Sequence, residues 1–423
     1  MIPALSLPAD KPEPSAPLDE WLAWLETIHP VTIDMGLDRV GRVADRLGLR
    51  PVVKPLILVG GTNGKGSTVA MLSAIYSAAG YRVGAYTSPH IVDFRERICI
   101  DGRWADSDAI VAALDFVESG RAPDTLTYFE YTTLAAMHVF QQSQCDVYVL
   151  EVGLGGRLDA TNLWEPDCSV ITSIALDHEE YLGSDVNVIA TEKAAIGRTG
   201  RTLVLGEPQT PASLFDYAAC HGITVNAIDQ SIAEVPPAIN LTGPHQRRNA
   251  WCAMAAVDAL QGQLPVQYSD LLSGLKHAHA PARFERLQHD GVDVVMDVAH
   301  NPAGAHALCL AWQEAFGEQQ AEVIFSVLAD KDLGGIVRAL EPVAGAWHCI
   351  ELDGARATPL ARLGEIVARS SEHPVNLHTD AARAWQAARQ GAIEASRRVL
   401  VAGSFHTIAR IHELRALPVD VAS

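Results

Sequence analysis

No run of apolar residues in this chain of 423 approaches the roughly 20 needed to cross a bilayer. The opening stretch, MIPALSLPADKPEPSAPLDE, lacks a basic segment followed by an unbroken apolar one, so it does not read as a signal peptide. Its prolines and polar residues predict an extended lead-in. Cysteine is sparse. The seven (Cys99, Cys145, Cys168, Cys220, Cys252, Cys309, Cys349) are odd in number and form no CxxC pair. That argues against a disulfide framework or a structural zinc and for a reducing compartment, the cytoplasm. Positive charge is also short, with 32 Lys and Arg against 51 Asp and Glu, a net −19. Such a chain repels nucleic acid and anionic membranes, and neither is expected as a partner. No internal repeat or low-complexity tract interrupts it.

What is present is an alternation of short β-branched apolar runs with helical stretches, the pattern of an α/β fold with a parallel sheet. Strands are expected at 56–60, 82–87, 147–153, 169–175 and 202–207. A second series follows at 292–302, 321–330, 346–353 and 397–406. Between the first two strands, Val69, Leu72, Ile75 and Tyr76 keep helical spacing, and Gly80 supplies a stop. The polar, proline-containing segment 276–291 falls between the two series and reads as a hinge. The expected organisation is an N-terminal P-loop-type domain with a mostly parallel sheet, residues 1–282. A smaller C-terminal Rossmann-like α/β domain, 283–423, follows it.

The sequence LILVGGTNGKGST runs from an apolar strand through a glycine-rich turn into a helix. Unpaired N–H groups and the helix dipole at such a junction favour an anion. Lys65 adds a point charge, and Ser67 or Thr68 can offer a hydroxyl to Mg²⁺. The pattern departs from the standard phosphate loop, because Val59 stands at its first glycine and Gly66 at its hydroxyl position. It reads as a variant nucleotide site. Ser88, Glu151 and His178 each follow an expected strand, and ligands of parallel sheets sit beyond the carboxyl ends of strands. Taken singly they have plain alternatives: a turn serine, an ion-pair partner, a loop histidine. Glu151 is the strongest of them, since a carboxylate ending a buried strand needs a cation or a donor.

The motifs GTNGKGST, TSPH, LTYFEYTTLAA, LEVGLGGRLDATN, SIALDHEEYLG, EKAAI, GPHQRRNA, ARFE, DVAHNP and GSFHT occur in the order seen in the folylpolyglutamate synthase/dihydrofolate synthase family, a branch of the Mur-type ATP-dependent amide ligases. The similarity runs from about residue 17 to the C-terminus, and it is greatest to the bifunctional bacterial members.

The resemblance implies that ATP phosphorylates a carboxylate and that the amine of L-glutamate displaces the phosphate. Dihydropteroate and reduced folates would be the acids, and the protein a monomer. Thr62, Asn63, Gly64, Lys65, Gly66 and Ser67 resemble the family's ATP loop. Ser67, Ser88, Glu151 and His178 resemble its metal site, which implies Mg²⁺, two ions, with a potassium ion left open. Lys193 matches a lysine carried as a carbamate, and with Lys65 and His178 it belongs to the implied catalytic group. Ala195 stands where the family usually has glycine. Asn249 matches an adenine-side residue, Arg283 a phosphate contact, and Asp297 with His300 the ribose side.

Thr32, Ile33, Asp34 and Met35, then Thr127, Tyr128, Phe129 and Glu130, then Leu158, Asp159 and Ala160, resemble the dihydropteroate-binding segments. Asp34 or Glu130 could accept the ring N–H donors of a pterin. As the plain alternative, YFEYTTLAAMHVF is a helix whose aromatic start packs in the core. A polyglutamylating enzyme without the dihydropteroate step, a cell-wall Mur ligase and a nucleotide-binding regulatory module are the other readings. GKGS, where cell-wall ligases usually show GKTT or GKST, tells against the second.

Overall fold

Every residue of LILVG is buried, and its side chains alternate between two cores. Leu56 and Leu58 join one hydrophobic cluster and Ile57 and Val59 the other, as the two-residue period of a strand requires. A sheet covered on both faces is the outcome. The computed structural model describes residues 10–228, 238–289, 291–354 and 356–415.

The first sheet contains β1 (Leu56–Gly60), β2 (Val83–Tyr86), β3 (Ile98–Ile100), β4 (Arg103–Trp104), β5 (Val147–Glu151), β6 (Cys168–Ile171), β7 (Thr202–Leu205) and β8 (Thr224–Ala227). Its spatial order is β4-β3-β2-β5-β1-β6-β7-β8. All neighbours are parallel except the β2/β3 and β3/β4 pairs. The second sheet contains β9 (Glu285–His289), β10 (Val292–Asp297), β11 (Ala321–Phe325), β12 (Ala344–Ile350), β13 (Val375–His378) and β14 (Arg398–Ala402). Its order is β13-β12-β11-β14-β10-β9, parallel apart from the antiparallel edge pair β9/β10. The architecture is α/β with a mostly parallel first sheet and a smaller mixed second one. Among the described residues no helix is long and apolar enough to cross a membrane, and all seven cysteines are free.

Two expectations need correction. The segment 276–291 is not a uniform polar hinge: the helix Tyr268–His277 runs into its start, and Glu285–His289 forms β9. That edge strand alternates between half-buried and exposed residues, and its polarity disguised it as a linker. Most strands also stop short of their apolar runs. β5 ends at Glu151 and β6 at Ile171, where the chain turns from the sheet into loops.

β2 shows how tightly a helix is seated on this sheet. A Cβ at Gly84 would stand 2.6 Å from Cγ of Phe140, a fully buried ring in the helix Tyr128–Gln142. Gly84→Val is expected to lower stability by about 1–3 kcal/mol through overpacking. Gly262→Ala, at a position with open space around it, is expected to be near neutral. Denaturant midpoints of the two variants check the contrast.

Candidate active site

β2, β5, β1 and β6 are neighbours and parallel, so their following loops emerge on one edge. After β1 the chain turns at Gly64, whose φ of 89° a side chain rarely adopts. A Cβ there would also fall 2.5 Å from Oδ1 of Asn249. Only glycine fits between loop and asparagine. Thr62 N–H donates to the Ser173 carbonyl at 2.9 Å, and Asn63 N–H to the Ser173 hydroxyl at 2.9 Å. The loop is thus strapped to the segment after β6. The helix Lys65–Ala78 starts here, and Ser67 is buried with its Oγ 3.2 Å from Nε2 of Gln246. Gln246 Oε1 in turn accepts from Asn249 at 2.9 Å.

Lys65 and Lys193 meet over one acceptor. Nζ of Lys65 lies 3.2 Å and Nζ of Lys193 3.1 Å from the carbonyl oxygen of Gly61. Lys193 is buried, and burial together with the charge of Lys65 brings its pKa down to about 7. A lysine near neutrality at physiological pH is a usable nucleophile.

Glu151 closes β5 at 4% exposure. Burial raises its pKa, opposed by the charges of Lys65 and Arg283, the N–H of Ser88 and the charge of Arg97. The Ser88 N–H is 3.2 Å from Oε2. A Cβ at Gly66 would stand 3.5 Å from the same oxygen and 3.9 Å from Nη2 of Arg283. Glu151, Ser88, Gly66 and Arg283 are therefore one cluster. Among the described residues no three His, Cys, Asp or Glu side chains gather closely enough to hold a metal by themselves. The donor set still suits a hard cation, because Glu151, Ser67 and Ser88 offer oxygens. His178 begins a short helix at φ 53°, with Nε2 4.0 Å from Oδ2 of its neighbour Asp177.

Asp177, absent from the sequence expectations, joins the two sheets' loops. Its Oδ2 is 3.1 Å from Nε2 of His300 and 3.1 Å from Nδ2 of Asn301, and Oδ1 accepts from Lys331 at 2.6 Å. Burial opposes its ionisation, but the His300 hydrogen bond and the charges of His300, His178 and Lys331 hold its pKa well below the usual carboxylate range. Asn301 also exchanges paired amide hydrogen bonds with Asn63, at 3.0 and 3.1 Å. Lys331, Asn301 and Gln246 were likewise missed. DKD, in the loop that follows β11, was the available signal for Lys331.

Asp297, expected on the ribose side, has oxygens that accept backbone N–H groups of Phe284 at 2.8 Å and Ala299 at 3.1 Å. Burial raises its pKa to about 6. It clamps the turn that carries Arg283, whose guanidinium lies 5.4 Å from the ring of Phe405.

On the aromatic side, Thr127 caps the helix Tyr128–Gln142 and Glu130 caps it reciprocally: Thr127 N–H donates to Glu130 at 2.8 Å. Glu130 also accepts from Arg39 at 3.0 Å, and Arg39 binds Asp34 as well. Both carboxylates already hold protein partners. Asp159 is similarly engaged, accepting from Leu154 N–H at 2.8 Å and Thr161 N–H at 2.9 Å. Phe129 packs against Gly153, where a Cβ would come within 2.6 Å of the ring. Tyr128 is half-buried beside Phe94, ring centroids 6.3 Å apart. Thr32 and Ile33 are exposed, Met35 and Leu158 half-buried, and Ala160 buried.

Two protein-family descriptions match this chain: Mur ligase middle domain over residues 59–205, and Mur ligase, glutamate ligase domain, over 282–405. Dihydrofolate synthase/folylpolyglutamate synthase of Escherichia coli K12 is 38% identical over 416 residues, 95% of this chain and 96% of its own length. The chain belongs to the dihydrofolate synthase/folylpolyglutamate synthase family. The Haemophilus influenzae enzyme of that name is 35% identical, covering 93% of this chain and 97% of the relative. Among solved structures, E. coli FolC in complex with DHPP and ADP superposes with a TM-score of 0.85 at 37% identity, covering 95% of this chain and 98% of that one. The bifunctional synthase of Yersinia pestis complexed with AMPPNP and Mn ion also gives 0.85, at 34% identity, with 96% and 99% covered.

The lowered pKa of Lys193 carries a sign. Below about pH 7 its buried ammonium is charged in both states, and desolvation weighs against the fold. Between about 7 and the ordinary 10.5, the folded chain has released a proton that the unfolded chain keeps. Stability attributable to this group therefore rises with pH across that window. In carbonate-free buffer, Lys193→Met is expected to be the more stable protein at pH 7 and to lose its advantage by pH 9. Denaturant midpoints at the two pH values check it.

Proposed function

We propose that this chain joins L-glutamate through an amide bond to dihydropteroate and to reduced folates, with ATP as the driving nucleotide. A carboxylate is a poor acyl donor because oxide would have to leave. Its oxygen therefore attacks the γ-phosphorus of ATP, the bond to the β-bridging oxygen breaks, and ADP departs. The glutamate amine then attacks the acyl carbon, phosphate leaves with the C–O electron pair, and the amine gives up a proton. What carries the reading is the convergence at one sheet edge of the Gly64 loop, Lys65, Lys193, Glu151 and Arg283.

In this reading the N–H groups of residues 64–67 and the ammonium of Lys65 cradle the phosphates, and Arg283 adds a second cation. Asn249, beside Gly64, takes the adenine side, and His300 with the Asp297 turn takes the ribose side. Ser67, Ser88, Glu151, His178 and a carbamylated Lys193 would hold Mg²⁺, which when bound offsets charge on the transferred phosphoryl group. A carbamate at Lys193 would turn a cation into an anion and relieve its conflict with Lys65. Two units, 1–282 and 283–423, would close on the nucleotide and exclude water. Paired amides at Asn63 and Asn301 support such closure. The remaining expectations are a monomer in the cytoplasm.

ADP release by the purified protein is expected to require an acid and L-glutamate together. It should appear with dihydropteroate and with tetrahydrofolate when each is supplied alone. Release with tetrahydrofolate only would reduce the activity to polyglutamylation, and release with cell-wall precursors but no pterin acid would refute the assignment. For Lys193, ¹³C-labelled bicarbonate is expected to give a carbamate resonance that Lys193→Ala lacks. An identical spectrum from both proteins would remove the carbamate.

A further inference from the structure

Arg97 ends the short helical turn Phe94–Arg97 and leads into β3. Its carbonyl accepts the Thr87 N–H at 3.0 Å, one residue before Ser88, whose own N–H binds Glu151. The residue is thus anchored beside the buried carboxylate of the phosphoryl side. Its guanidinium lies 5.5 Å from the ring of Tyr128 and 5.6 Å from that of Phe94. Nε donates to Nδ1 of His90 at 2.9 Å. Burial raises the pKa of Tyr128 and of Glu151, and the positive charge of Arg97 opposes the rise in both. The cation therefore lies beside the aromatic pair and within electrostatic reach of the metal-side carboxylate.

Its neighbours are paired and it is not. Arg39 is held by Asp34 and Glu130, Arg95 by Asp93, and Arg157 by Glu192. Arg97 is half-buried and forms no ion pair among the described residues. A half-buried guanidinium kept without an anion is costly unless a ligand supplies one. The phosphates already have Lys65, Arg283 and the loop N–H groups. On the aromatic side Asp34, Glu130 and Asp159 repel the reacting acid, and Arg39 is engaged.

We propose that Arg97 binds the carboxylate that is to be phosphorylated, holding it between the Phe94–Tyr128 pair and the phosphoryl site at Glu151. The assignment rests on the ligase reading above and adds a residue to it. A bidentate guanidinium–carboxylate contact fixes both oxygens, and the aromatic faces keep the guanidinium plane from rotating.

The test is a cycle of two ligands and two proteins. Dihydropteroate and its N-phenyl analogue, which has hydrogen in place of the carboxylate, are titrated with AMPPNP present into the wild-type protein and into Arg97→Gln. Wild type is expected to favour the acid by about tenfold or more, the range of a charge-assisted hydrogen bond. Arg97→Gln is expected to bind acid and analogue alike. Arg97→Lys keeps the charge without the fork and is expected to recover part of the preference. AMPPNP affinity within about twofold of wild type in both variants shows that the fold is intact. A preference that survives in Arg97→Gln, or a wild type with no preference, overturns the assignment. Either result leaves the ligase reading to the separate requirement of ADP release for acid and glutamate.

Discussion

The carboxylate of Glu151 is the constraint around which the site is built. It ends a strand whose five residues are all buried, and a charge there is tolerated only with close compensation. The protein supplies one N–H, from Ser88, and surrounds the group with Lys65, Arg283 and Arg97. These come from four places in the chain and from both sheets' loops. Replacing the carboxylate by an apolar residue would satisfy burial and leave several cations facing one another. The helix N-terminus at Gly64 adds positive potential of its own. A site with this excess of positive charge is incomplete without anions, which is what a triphosphate and a carboxylic acid provide.

Compensation also ties the two sheets together. Asp177 follows β6 of the first sheet, yet its partners His300, Asn301 and Lys331 follow strands of the second. Its depressed pKa favours the charged carboxylate, so the contact holds by charge and hydrogen bonds together. Asn63 lies in the phosphate loop itself and is bonded to Asn301. Movement of one sheet's loops relative to the other is therefore felt directly at the loop that would hold ATP.

Much of this was legible in the chain. The central strands announce themselves because burial on both faces demands continuous apolar runs, and the Gly64 loop because few other sequences turn so sharply from strand to helix. β3, β4, β8, β9 and β13 were not legible. They are short edge or near-edge strands, with sequences such as ERLQH and VNLH that look like linkers. Ion pairs such as Asp177–Lys331, 154 residues apart, have no local signature at all. Glu130 and Asp159 are expected at the pterin by resemblance, and in the structure their oxygens also serve a capping box and a turn. The spacing of Thr127 and Glu130 carries the capping signature.

The chain's net charge of −19 opposes the approach of every anion that the proposed reaction needs. The opposition is long-ranged and weakened by salt, because the Debye length is about 8 Å at physiological ionic strength. The attraction at the site is short-ranged and acts in a partly buried setting, where screening is weak. An anion at the sheet edge is therefore near Lys65, Lys193 and Arg283 and meets the acidic surface only through solvent. Local arrangement outweighs total charge. Lys193 is the point where this balance can be set, since its ammonium adds to the positive excess and its neutral form removes one charge. With Lys65 already on the Gly61 carbonyl, burial and the neighbouring charge make the ammonium of Lys193 costly to keep.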